Sequence, residues 1–135
     1  MKSILLIDDD QDVRSCVRNI LEQSGYSVLE AENGSVGIDI FRHNLVDLVI
    51  VDLFMPEKEG IETIIELRKG YADLKILAIS GGIPGYGPDH FLHIAQKLGA
   101  DGSLDKPFNM QQLLTKVEML LTPAALTSQV IDHLH

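Results

Sequence analysis

Two runs of branched aliphatic residues stop abruptly at aspartate. Ile4-Leu5-Leu6-Ile7 leads straight into Asp8-Asp9-Asp10, and Leu48-Val49-Ile50-Val51 leads into Asp52. A continuous apolar run, as opposed to an alternating one, is the pattern of a strand buried on both faces. That points to a parallel sheet with helices on either side. Carboxylates placed just after such strands fall at the carboxyl edge of the sheet, where open α/β folds bind ligands. Several like charges converging there repel one another unless something positive lies between them.

Strand-like and helix-like patterns alternate along the rest of the chain. A strand at 3–7 is followed by a helix with Val13, Cys16, Val17, Ile20 and Leu21 on one face, closed by Gly25. A short strand at 26–30 precedes a helix capped by Asn33, with Val36, Ile40 and Phe41 facing inward. The strand at 47–51 leads to a helix opening between Pro56 and Gly60. Its inward residues are Ile61, Ile64 and Ile65, and Arg68-Lys69-Gly70 at its end suits the helix dipole. A strand at 75–79 and a glycine- and proline-rich loop at 81–88 come next. Phe91, Ile94, Ala95 and Leu98 mark a helix closed by Gly99, and a strand is expected at 101–104. Asn109 caps a last helix with Met110, Leu113, Leu114, Val117, Leu120 and Leu121 on one stripe. Five such units predict a doubly wound parallel sheet. Beyond Thr122-Pro123 the weakly amphipathic Leu126, Val130, Ile131 and Leu134 fit either a frayed tail or an extra docking helix.

At 135 residues the chain makes one domain with a real core. Its net charge of -9 and lack of any basic run argue against direct nucleic-acid binding. A single cysteine, Cys16, permits no internal disulfide and fits a reducing compartment. Met1-Lys2-Ser3 runs directly into a short strand, so no signal peptide is expected, and no segment is long enough to span a membrane. A cytoplasmic location is expected. His90 and His93, one turn apart, and the terminal His133 and His135 lack the partners of a tetrahedral metal site and are expected to be solvated.

The polar residues that end the strands share one rim. Asp8 and Asp9 follow the first strand, Asp52 ends the third, Ser80 follows the fourth, and Lys106 lies just beyond the fifth. The second strand contributes nothing obvious. Asp10 is better placed to cap the first helix. Taken singly, each is an ordinary loop or turn residue; together they form a chemical set. Hard cations such as Mg2+ take oxygen ligands, often one or two carboxylates with several waters, and Asp8, Asp9 and Asp52 suit that. Lys106 and the Ser80 hydroxyl could hold phosphoryl oxygens, and Asp52 could be the nucleophile.

On Ile-Leu-Leu-Ile-Asp-Asp-Asp at 4–10, Val-Ile-Val-Asp-Leu-Phe-Met-Pro at 49–56 with Gly60, Leu-Ala-Ile-Ser at 77–80 and Gly-Ala-Asp-Gly-Ser-Leu-Asp-Lys-Pro-Phe at 99–108, the chain resembles the receiver domain of two-component response regulators over residues 2–121. Residues 122–135 are left as a tail or short extra helix. The resemblance implies a flavodoxin-like (βα)5 fold with strand order 2-1-3-4-5 and a cis Lys106–Pro107 bond. It implies Asp52 as the phosphoacceptor and Mg2+ held by Asp8, Asp9, Asp52 and the backbone carbonyl of Phe54. Ser80 and Lys106 match the family's hydroxyl and lysine. Such a protein is no enzyme in the turnover sense; its phosphorylation and dephosphorylation are self-catalysed. The implied partners are a sensor histidine kinase or histidine phosphotransfer protein, a downstream effector protein, or a second copy forming a homodimer, with no nucleic acid and no membrane. No output domain is expected after the last helix.

Three departures from the family pattern bear on readout. Ser103 stands where most members carry an aromatic residue that moves with the hydroxyl, so Ser80 and Ser103 become the switch positions. The loop at 81–88 is longer than usual, and either it carries the phosphorylation response through Tyr86 or it is a surface loop unrelated to signalling. Phe54 and Gly82 flank the path of the hydrolytic water in this family, and neither can orient water through a polar side chain. Leu92 lies beside the apolar stripe of the fourth helix, on a face that the family often uses for partners. Two rival readings exist. A haloacid-dehalogenase-type phosphohydrolase also starts with a strand and Asp-x-Asp, but Asp12 sits where that motif wants threonine or valine, and Asp52 would have no role. A degenerate, binding-only receiver is argued against by the intact polar set.

Overall fold

The computed structural model describes residues 1–53, 60–81 and 88–123, with backbone alone at 88–92. Five strands are laid down in chain order: β1 (Ser3–Ile7), β2 (Ser27–Ala31), β3 (Leu48–Asp52), β4 (Lys75–Ser80) and β5 (Gly102–Asp105). Each is followed by a helix: α1 (Gln11–Gln23), α2 (Gly34–His43), α3 (Gly60–Gly70), α4 (Pro88–Leu98) and α5 (Met110–Leu121). All strand pairs are parallel, in the order β2-β1-β3-β4-β5, as expected.

Because successive side chains of a strand point to opposite faces, each apolar run feeds two cores. Leu5, Ile7, Val49, Val51, Ile76 and Ala78 pack against Ile38 of α2, Ile64 and Leu67 of α3 and Ala95 of α4. Ile4, Leu6, Leu48, Ile50, Leu77 and Ile79 pack against Val17 and Leu21 of α1 and Leu113 and Val117 of α5. Every residue of β3 is buried, which is what a continuous apolar run at the centre of a sheet requires.

The caps follow the sequence. The Asp10 side chain accepts from the Asp12 and Val13 amides and opens α1. Asn33 accepts from Val36 N–H, and Asn109 with Gln112 forms a reciprocal capping box. Gly25 at φ 95° and Gly99 at φ 122° end α1 and α4 in the left-handed region, which glycine enters at little cost. Lys106–Pro107 is cis.

Several expectations need correction. β2, β3 and β5 each begin one residue later than expected, and β4 runs on through Ser80. Tyr26 is tied instead to the end of α1, its N–H donating to Leu21 O. Pro88 belongs to α4, not to the preceding loop. Cys16, Val36 and Met110 are exposed, so the buried face of α2 is Gly37 and Ile38 flanked by Ile40 and Phe41. The start proposed for the third helix at Pro56 and the tail beyond Pro123 lie outside the described residues. Among the described residues, no helix is long and apolar enough to cross a membrane.

Candidate phosphoryl-transfer site

The carboxyl ends of β1, β3, β4 and β5 meet at one rim because the ladders align them. Ile7 pairs with Val51, Asp52 with Ile79, and Ser80 with Asp105. Backbone bonds continue the sheet past its last formal pairs: Leu53 N–H donates to Ile79 O at 2.9 Å, and Lys106 N–H donates to Ser80 O at 2.9 Å. The rim is therefore tied into the sheet by the same kind of backbone bond as the strands beneath it.

Carboxylate oxygens of Asp8, Asp9 and Asp52 lie within 4.8 Å of one another. Asp8 and Asp52 are buried and Asp9 is exposed, so the cluster opens to solvent on one side. The Lys106 ammonium donates to Asp8 Oδ2 and to Asp52 Oδ2, each at 3.3 Å. Burial pulls the Lys106 pKa down, but the charges of Asp52 and Asp8 and their hydrogen bonds outweigh it, and the net shift is upward. The ammonium thus stays charged through the neutral range and offsets part of the repulsion between the two carboxylates. One cation against three carboxylates still leaves the rim negative. A compact set of three hard oxygen donors with solvent on one side fits a divalent cation of the Mg2+ type, which keeps several of its waters.

Ser80 is fully buried at the end of β4. Ser103 lies in β5, where its Oγ accepts from the Gln96 side-chain amide of α4 at 3.1 Å. It forms part of the floor of a polar hollow of about 610 Å3, walled by Gln96 of α4 and by Gln112 and Lys116 of α5. The place where the family carries an aromatic ring is here a polar depression bridged by a hydrogen bond. Phe54, Gly82 and Tyr86 lie outside the described residues, as do the side chains of His90 and Leu92. His93 is exposed, as expected of a solvated residue.

Sequence reading missed Arg14, which reaches the site, and Glu30, which holds Arg14. Arg14 on α1 donates through Nη1 to the backbone carbonyl of Asp8 at 2.6 Å and through Nε to Glu30 Oε1 at 3.2 Å. Glu30 belongs to β2, so the second strand does contribute to the rim, at one remove. The only signal for this was a cation placed in the first turns of the helix that follows an acidic turn. A side chain that binds a backbone carbonyl leaves no partner residue to find in the sequence.

A family model described as the response regulator receiver domain matches residues 4–118. The chemotaxis protein CheY of Halobacterium salinarum is 32% identical over 121 residues, covering 90% of this chain and 98% of that protein. The transcriptional regulatory protein CpxR of Escherichia coli is 34% identical over 121 residues, covering 90% of this chain. The chain spans about half the length of that regulator (50%). Among solved structures, a response regulator receiver domain protein from Clostridium thermocellum superposes with a TM-score of 0.82 at 28% identity, covering 90% of this chain and 94% of that one. The response regulator TrrA from Thermotoga maritima, in complex with Mg2+-BeF, superposes with a TM-score of 0.80 at 34% identity, covering 90% of this chain and 100% of that one.

Proposed function

The chain belongs to the response regulator receiver domain family, and on that premise we propose that it is the phosphoacceptor of a two-component phosphorelay, with residues 2–121 as the receiver and Asp52 as the acceptor. The observation that carries this is the convergence of Asp8, Asp9 and Asp52 within 4.8 Å, with the Lys106 ammonium bridging two of them. In the transfer, a carboxylate oxygen of Asp52 attacks the phosphorus of a phosphohistidine. The phosphorus–nitrogen bond breaks, and the imidazole nitrogen keeps the bonding pair and takes up a proton. Lys106 would follow the arriving negative charge, and Ser80, at the end of the neighbouring strand, would bond a phosphoryl oxygen. Asp8, Asp9 and Asp52, with the Phe54 carbonyl, would hold Mg2+, which when bound neutralises phosphoryl charge and relieves carboxylate repulsion. Phosphorylation and hydrolysis of the acyl phosphate are then events at Asp52 itself, without turnover of a separate substrate.

The donor, a sensor histidine kinase or histidine phosphotransfer protein, must present its imidazole over Asp52 and so must rest on the adjoining surface. An apolar depression of about 430 Å3 lies there, lined by Val13, Cys16 and Val17 of α1 together with Gly81, Lys106, Pro107 and Phe108. It shares Lys106 with the site, which fits it to receive apolar side chains of the donor. The polar hollow over Ser103 is left for an effector protein or a second copy of the chain.

Incubation with acetyl phosphate and Mg2+, followed by intact-mass analysis, tests the acceptor role. One acid-stable, base-labile phosphoryl group is expected, lost in Asp52→Asn. Steady turnover of a phosphate ester would instead favour a phosphohydrolase, and no uptake at all would favour a binding-only module. The docking surface is tested by Cys16→Arg, an exposed position. Transfer from a phosphohistidine protein is expected to fall at least several-fold, while labelling by acetyl phosphate stays at the parental rate. Equal loss with both donors would rule the docking role out.

A further inference from the structure

This inference rests on the metal role proposed above for Asp8 and Asp9, and adds a residue to it. The two carboxylates are held in different ways. Asp8 Oδ1 accepts from the Asp10 amide at 2.9 Å and Oδ2 from Lys106 at 3.3 Å, so its carboxylate is fixed by its own hydrogen bonds. The Asp9 carboxylate is exposed and makes no hydrogen bond among the described residues, so its direction depends on the backbone that carries it. The peptide entering Asp9 begins at the Asp8 carbonyl, which is the group that Arg14 Nη1 binds at 2.6 Å. On the other side, Asp8 N–H donates to Ala31 O of β2 at 3.1 Å. Asp8 is therefore pinned at its amide, its carbonyl and both carboxylate oxygens, and the carbonyl pin is the one that sets the plane of the peptide leading to Asp9.

Arg14 is itself held. Its side chain is only 14% exposed, and Nε donates to Glu30 Oε1 at 3.2 Å. The other oxygen of Glu30 accepts from Arg18 Nη1 at 2.6 Å, and Arg18 pairs in turn with Glu22. A chain of alternating charges thus runs from the surface of α1 to the turn between β1 and α1. A guanidinium can serve a carboxylate and a carbonyl together because its donors form a rigid planar fork.

We propose that Arg14 is a positioning residue for the cation. It fixes the Asp8–Asp9 peptide and so aims Asp9 at the ion shared with Asp8 and Asp52, and Glu30 orients Arg14 for that task. Charge alone makes the opposite forecast. Deleting a cation beside three carboxylates should strengthen binding of a divalent cation, so the sign of the effect separates positioning from simple electrostatics.

The test titrates Mg2+ alone, without any phosphodonor, into the full chain and into Arg14→Met, Arg14→Lys and Asp9→Asn, followed by calorimetry. Urea unfolding in EDTA is run in parallel to confirm that each variant is folded. The parent is expected to bind, Asp9→Asn to lose most of its affinity, and Arg14→Met to bind about tenfold or more weakly, the range found when groups that orient metal ligands are removed. Arg14→Met binding as tightly as the parent, or more tightly, while Asp9→Asn has lost binding, overturns the inference and leaves the metal role standing. A parent that binds no Mg2+ overturns both. Should Arg14→Met not fold, Arg14→Lys decides the matter. An ammonium lacks the planar fork through which Nε and Nη1 serve Glu30 and the Asp8 carbonyl in fixed directions, so weaker binding supports the inference and parental affinity overturns it.

Discussion

Lys106 is the residue on which the electrostatics of the rim turn. It lies between Asp8 and Asp52, each 3.3 Å away, and its ammonium offsets part of the repulsion between the two buried carboxylates. In Lys106→Met the stem is preserved and the charge removed, so the loss measures charge and not packing. With the side chain 26% exposed, water screens part of the interaction, and a destabilisation of about 1–3 kcal/mol near pH 7 is expected in EDTA. Because the remaining repulsion is what a divalent cation relieves, the gap between parent and variant should narrow when EDTA is replaced by Mg2+ in excess. Urea midpoints in the two buffers check this, and a gap that stays the same would mean that Lys106 and a bound cation do not relieve the same repulsion. The pH dependence has a definite sign. The folded pKa of Lys106 is raised by Asp52 and Asp8 against the opposing effect of burial, so its contribution is full below the unfolded value of about 10.4 and is lost as pH rises through the higher folded value.

The elements deliver these residues only if α3 can approach β3. A Cβ built on Gly60 would lie 2.1 Å from the Asp52 carbonyl oxygen and 2.5 Å from Leu53 Cα, both backbone atoms that cannot swing away. Gly60→Ala must therefore push the start of α3 off the end of the strand that carries Asp52. A loss of about 1–3 kcal/mol is expected, together with slower labelling by acetyl phosphate at saturating Mg2+. Gly25→Ala is the control. It sits at φ 95° with nothing within 4 Å of its new Cβ, so it should cost about 1 kcal/mol through backbone strain alone and leave labelling unchanged. Labelling lost equally in both variants would mean that general destabilisation, not displacement of Asp52, sets the rate. The contrast also shows where sequence reading reached and where it stopped. The strands and the rim of Asp8, Asp9, Asp52, Ser80 and Lys106 were legible because a buried parallel strand writes itself as an apolar run and its end as a polar break; the strand order came only through the family resemblance. The inner face of α2 was legible only in part: Ile40 and Phe41 pack there as expected, but the close approach over Ile7 needs Gly37, and an absent side chain carries no hydrophobic signal. Arg68 was read as a charge suited to the end of α3. In the structure it donates to the carbonyls of Tyr71, Ala72, Leu74 and Gly99 and to Asp101, tying α3, β4 and the end of α4 together. Arg14 escaped notice for the same reason: backbone acceptors have no residue identity.

For the molecule as a whole, the rim is a local excess of negative charge in a chain whose net charge is already -9. Its three carboxylates come from two strands that are adjacent only when the sheet is formed, so the unfolded chain offers no comparable site. A cation that binds the native state alone stabilises it by RT ln(1 + [L]/Kd), about 2.7 kcal/mol at a hundredfold excess over Kd. For a domain of this size that corresponds to a rise in melting temperature of about 10 °C. Non-specific screening by salt also raises stability in an acidic protein, and two comparisons separate the effects. NaCl at matched ionic strength should give only a small part of the rise. Asp9→Asn should melt slightly higher than the parent in EDTA, since one repelling charge is gone, and yet gain little from Mg2+. The two melting curves are therefore expected to cross as Mg2+ is added, with the variant ahead in EDTA and the parent ahead at saturation. Parallel gains in parent and variant would show that the stabilisation is general screening and that the three carboxylates do not act together on one ion.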